Sequence, residues 1–186
     1  LLSQGFIDIA RSYMAYRQQH KVLREEKTLA MIEAEKLYVS HGDRKEIFNP
    51  DHVHDVVSKL GRGLDKVSVQ DIVDEVCRTV YDGIKAEEVE TLILNCIKTR
   101  IDDHYNYSYL SARFLLDQMY QQVLGVPFYA ENLETMYQHK FTKYLEQGIE
   151  LGLLNPELRE FDLNKLSQSL VSSRDLLFMN LGMQTI

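Results

Sequence analysis

The chain has 186 residues, 45% of them apolar and 26% charged, with only 9 Gly and 3 Pro, which excludes a disordered polypeptide and leaves enough chain for one large domain, or one domain plus an attached piece. The net charge of −7, from 21 Lys and Arg against 28 Asp and Glu, argues against a nucleic-acid module, which concentrates positive charge. No apolar run approaches a membrane span, and no charged segment followed by an apolar one marks a secretory signal.

Ser3 is a candidate N-cap for a first helix, with Phe6, Ile9, Ala10 and Tyr13 at helical spacing. Residues 17–27 then turn strongly polar, and 30–35 are again helix-forming. Leu37-Tyr38-Val39 and Ile47-Phe48 are short β-like runs around the turn residues Ser40-His41-Gly42-Asp43, which predicts a small hairpin and no other sheet. Asn49 caps the next helix, Pro50 occupies its first position, and Phe48 and Val53 can staple across the start. Val53, Val56, Val57 and Leu60 form its buried stripe, and Gly61 and Gly63 end it. Ser68 to Asp71 opens another helix as a capping box, with Val67 and Ile72 as the staple pair; Val73, Val76 and Val80 continue it, and Tyr81-Asp82-Gly83 stops it.

The strongest amphipathic pattern runs from Ala86 to Ile101 through Val89, Leu92, Ile93, Cys96 and Ile97, with Glu87 and Glu88 at its start and Lys98 and Arg100 at its end. Further helices are predicted over Tyr107 to Leu124, ended by Gly125 and Pro127, and along the stripe from Leu133 to Leu145. Asp162 caps a short helix, and Leu176 to Leu181 extends the pattern. The fold class is therefore mainly α: seven or eight helices with a small β-hairpin cap.

Catalytic motifs are absent: there is no G-x-S-x-G, P-loop or G-x-G-x-x-G. Gly61-Arg62-Gly63 reads as a helix stop rather than a phosphate cradle. His52 and His54 sit at i and i+2, diverge on a helix and do not share a metal. Cys77 and Cys96 fall at or beside apolar helix faces and read as small hydrophobes in a reducing, cytoplasmic protein, with no disulfide or metal spacing. The acidic pairs Glu87-Glu88 and Asp102-Asp103 read as solvated helix ends. No catalytic or metal residue is therefore assigned. Arg44, Lys45, His52 and Lys85 are the candidate nucleotide-binding residues, because a hairpin laid over helix N-termini can hold a triphosphate. The competing reading is a solvated turn with ordinary basic residues.

Tyr81-Asp82-Gly83-Ile84-Lys85, Tyr107-Ser108-Tyr109-Leu110-Ser111-Ala112-Arg113 and Ser173-Arg174-Asp175-Leu176-Leu177-Phe178 resemble, in order and spacing, the N-terminal region of the large (alpha) subunit of class I ribonucleotide reductase. Residues 6–26 resemble the closing helix of an ATP-cone, the small regulatory domain of these enzymes. The resemblance implies three parts: 1–30, the closing helix of an upstream cone; 36–105, a second cone; and 106–186, a helical lead-in to a catalytic barrel outside this chain. The chain would thus be a cut from a longer polypeptide. It implies an oxidoreductase that reduces ribonucleoside diphosphates to deoxyribonucleotides for DNA replication. ATP and dATP would be its effectors, a small (beta) subunit carrying the metal cofactor its partner, and large subunits would self-associate.

Departures from the family pattern imply a degenerate second cone. The family's Lys-Arg-Asp-Gly turn is here His41-Gly42-Asp43-Arg44, an early helix lysine is His52, and the usual Thr and His after the Y-D-G-I-K run are Ala86 and Glu90. A lost cation and an added carboxylate each oppose a triphosphate by about 1 kcal/mol per pair even in water. The parent's catalytic cysteines match neither Cys77 nor Cys96, so this piece alone is expected to be inert. A stand-alone α-helical interaction module without nucleotide binding is the alternative reading.

Overall fold

The computed structural model describes residues 2–185 in backbone and side chains from Phe6 onward. Its elements are α1 (Leu2–Glu33), β1 (Tyr38–His41), β2 (Arg44–Ile47), α2 (Pro50–Leu60), α3 (Val69–Thr79), β3 (Ile84–Lys85), α4 (Ala86–Lys98), α5 (Asn106–Leu124), α6 (Leu133–Glu150), α7 (Leu163–Gln168) and α8 (Asn180–Gln184). Two 3₁₀ turns, Pro156–Glu160 and Ser172–Leu177, complete them. The chain is mainly α with a small β cap, and it divides into two compact units. Unit 1 is Leu1–Val56 with Ser68–Cys96, and unit 2 is Val57–Val67 with Ile97–Ile186.

In unit 1, α1 is one unbroken helix that runs through the polar stretch 17–27 and on to Glu33. Residues 17–27 are polar because they are exposed, not because the helix stops. Arg, Gln, Lys, Leu and Glu are strong helix formers, and Lys21 pairs with Glu25 one turn on at 3.6 Å. Ser3 lies inside the helix rather than at its cap. The helix ends in a Schellman motif: Glu35 turns left-handed at φ 53°, and the Lys36 amide reaches back to the Met31 carbonyl at 2.8 Å.

The hairpin is tighter than predicted. His41 pairs with Arg44 across a two-residue loop whose first member, Gly42, has φ 64°. Positive φ at the first loop position alone is the type II′ turn that matches strand twist. The sheet also has a third strand that the sequence reading excluded: β3 pairs in parallel with β1, giving the order β2-β1-β3. Val39 and Ile84 are partners on the buried face.

The helix starts follow the predicted chemistry. Asn49 Oδ1 accepts from the Asp51 amide at 2.9 Å, and Ser68 Oγ from the Asp71 amide at 3.3 Å. Phe48 and Val53 are both buried, as a staple requires. Ile72, Val73, Val76 and Cys77 form the buried stripe of α3, which packs on α1.

In unit 2, α5 is buried on most sides and carries the core. Ala112, Leu116, Tyr120 and Leu124 cluster with Met183 of α8, and Leu133 and Tyr137 of α6 close over them. Gly125, at φ 76°, caps α5 as predicted, its amide reaching the Tyr120 and Gln121 carbonyls. Asp162 Oδ1 accepts from the Lys165 amide at 3.0 Å and caps α7. The C-terminal stretch is not the continuous helix its apolar pattern suggests: a 3₁₀ turn at Ser172–Leu177 precedes α8.

Candidate functional site

Strand pairing in unit 1 assembles a row of basic residues. Ser40 is the register partner of Lys45 on β2 and of Lys85 on β3. Cross-strand partners share a face, and Val39, one residue earlier, points into the core. Lys45, Ser40 and Lys85 therefore line the opposite face in one row, with the two lysine backbones about 10 Å apart across three strands. Arg44 lies next along β2, opposite His41, whose Nε2 approaches Glu46 at 3.6 Å. His52 sits exposed on the first turn of α2, and among the described residues no hydrogen bond or ion pair joins it to the lysines. The sequence grouped four residues; the sheet register joins two of them directly and turns Arg44, paired with His41, to the other face.

The backbone around this row is fixed by two carboxylates. Asp82 Oδ1 accepts from the Tyr38 amide at 2.9 Å, and the Gly83 amide donates to the Tyr38 carbonyl at 2.8 Å, which ties β1 to the turn before β3. Glu88, the third residue of α4, reaches back to the Lys85 amide at 3.0 Å and also accepts from the Tyr81 hydroxyl at 3.0 Å. This is the carboxylate arm of a capping box. These two bonds hold the Glu88 carboxyl below its ordinary range and push the Tyr81 phenol up. One member of an acidic pair read as solvated thus has a defined structural task.

Other sequence candidates stay structural. Cys77 and Cys96 are buried, and burial, assisted by Asp74, pushes the Cys77 thiol up, which keeps it protonated and unreactive near neutrality. His52 and His54 are both exposed, and among the described residues no three His, Cys, Asp or Glu side chains are placed to hold a metal ion. No helix among the described residues is long and apolar enough to cross a membrane.

The remaining motif residues organise unit 2. Tyr107, Leu110, Ser111 and Ala112 are buried on α5. Ser111 Oγ donates to Asn180 Oδ1 at 2.7 Å, and the Asn180 amide donates to Ser108 Oγ at 3.2 Å, which seats α8 on α5. Arg113 donates from one terminal nitrogen to the Leu60 and Arg62 carbonyls, each at 2.9 Å, and so satisfies carbonyls at the end of α2. Burial lowers its affinity for the proton, and its Nε is left without a partner. Asp175 accepts from the Tyr120 hydroxyl and also engages Tyr137. Sequence spacing gave no hint of these roles, because each joins residues more than thirty positions apart.

Along its whole length the chain matches the N-terminal region of ribonucleoside-diphosphate reductase alpha subunits. It is 28% identical over 195 aligned positions to the subunit alpha of Chlamydia trachomatis and 27% over 193 to that of Chlamydia pneumoniae, each covering 100% of this chain and 18% of the relative. The subunit alpha of reductase 1 from Salmonella typhimurium matches 76% of the chain at 27% identity. The chain thus spans about a fifth of the length of these relatives. No family model matches it.

Proposed function

We propose that the chain is the non-catalytic N-terminal part of an oxidoreductase that converts ribonucleoside diphosphates to deoxyribonucleotides. The observation that supports this is the similarity of the whole chain to reductase alpha subunits; the segments that carry the resemblance fall on the β3 turn, on α5 and on the Ser172–Leu177 turn. The radical chemistry and the cysteine pair that supplies its electrons belong to the rest of the parent, whose partner is a small subunit carrying the metal cofactor. The residues of this chain position and seal.

Nucleotide control of the parent by ATP and dATP, acting through cone domains and the association of large subunits, follows from the same reading. In this chain the hairpin unit has a three-stranded cap but offers a triphosphate only the Lys45–Lys85 row, since Arg44 turns to the other face. Glu90 adds a carboxylate on α4, where it opposes a polyanion. The unit therefore binds nucleotide weakly or not at all. Calorimetric titration with dATP is expected to show no saturable heat in the low micromolar range. A low-micromolar dissociation constant, with the rise of about 2.7 kcal/mol in stability that ligand at a hundred times that value confers, would overturn the degenerate reading.

A further inference from the structure

We infer an anion site in unit 1, distinct from the hairpin row: an open cavity between α1 and the C-terminal end of α3 that takes a phosphate-bearing small molecule. The cavity measures about 580 Å³, within the range of small-ligand clefts. Four cations line it, Lys21, Arg24 and Lys27 from α1 and Arg78 from α3, against the two carboxylates Glu25 and Asp82. In a chain of net charge −7 this is a local reversal of sign.

Both carboxylates are already engaged. Glu25 pairs with Lys21 at 3.6 Å, and Asp82 accepts from the Tyr38 amide at 2.9 Å. The cations are less committed. Arg24 donates only its Nε, to the His20 carbonyl at 3.2 Å, which leaves its terminal nitrogens available. The Lys27 side chain enters no hydrogen bond or ion pair among the described residues. Arg78 meets Glu75 at 3.9 Å, an exposed pair that solvent screens.

Lys21, Arg24 and Lys27 recur every third residue, so they crowd one side of α1 and repel one another. An anion between them removes that repulsion. The opposing effect is the end of α3, whose last carbonyls carry about half a negative charge. The uncommitted cations, each a full unit, outweigh it. Met31 and Val80 add an apolar wall, which suits a phosphate ester better than a bare ion.

Phosphorus NMR titration of the chain with inorganic pyrophosphate tests this, because it reads binding directly and does not depend on reductase activity or on the hairpin. Saturable binding is expected, weakened by added salt. Reversing Arg24→Glu and Lys27→Glu together should weaken it about a hundredfold, at about tenfold for each charge-assisted contact. Both sites are exposed and Glu is a good helix former, so the variant should melt as the parent chain does, which circular dichroism checks. The pair Lys45→Glu and Lys85→Glu should leave pyrophosphate binding unchanged. Three results would overturn the site: no saturable binding up to about 10 mM pyrophosphate, binding indifferent to the Arg24 and Lys27 reversals, or binding lost in the hairpin variant instead.

Discussion

Truncating Leu116 to alanine is expected to destabilise unit 2 by about 2–5 kcal/mol, the largest effect of any single change considered. Leu116 is 2% exposed and sits at the centre of the cluster that joins α5 to Met183 of α8 and to the inner residues of α6. Deleting its branch removes transfer free energy and leaves a cavity that three helices cannot all collapse to fill. Urea unfolding followed by tyrosine fluorescence reads the change, since Tyr120 and Tyr137 border the site. A loss below about 0.5 kcal/mol would mean that α5 is not the core of the unit.

The second large effect belongs to Asp175. Its carboxylate accepts from Tyr120, which is 1% exposed, and engages Tyr137, so it anchors the Ser172–Leu177 turn to two helices. Replacing Asp175 with alanine strands a buried hydroxyl and should cost about 1–3 kcal/mol, with faster amide exchange across the turn. Asp175→Asn keeps an acceptor and should cost less. Alkali provides an independent reading. Burial, then Asp175, push the Tyr137 phenol from 10.0 up to about 12, and burial with the same carboxylate pushes Tyr120 higher. Both shifts favour the neutral phenol in the folded state. Their contribution is complete below pH 10 and is lost as pH rises towards the folded values. Melting temperature should therefore fall steeply above pH 10, and less steeply in Asp175→Ala, where desolvation remains but the carboxylate is gone.

Local chemistry made much of the fold legible. Asn49, Ser68 and Asp162 each cap the helix that the sequence assigns to them, because a cap depends on residues two or three positions away. Gly125 stops α5 for the same local reason. What escaped was non-local. β3 is two residues long, too short for an alternation signal, and it exists because the Tyr38 backbone bonds to Asp82 and Gly83. Residues 17–27 of α1 read only as polar, because an exposed helix with no partner along most of its length shows no apolar period. The candidate site divides in the same way. Arg44, Lys45 and Lys85 were visible as basic residues near a turn, but only strand register puts Lys45 and Lys85 on either side of Ser40. His52, grouped with them by proximity in sequence, lies on α2 and takes no part in the strand register. The basic cavity was not legible at all, since it joins residues 21–31 to residues 78–82.

The resemblance motifs carry a related lesson. Tyr107 to Arg113 and Ser173 to Phe178 match an enzyme family, yet their side chains here do the work of packing: Ser111 and Asn180 bond in the core, Arg113 closes the end of α2, and Asp175 holds two tyrosines. These joints fix how the helices of unit 2 meet.

The central claim is that this chain is the non-catalytic N-terminal part of a ribonucleoside-diphosphate reductase. The most direct test is deoxyribonucleotide formation from a ribonucleoside diphosphate, measured for the full-length parent with its small subunit and for the chain alone. The account predicts product from the first and none from the second. A full-length protein that makes no deoxyribonucleotide with its small subunit, or a chain that makes it unaided, would contradict it.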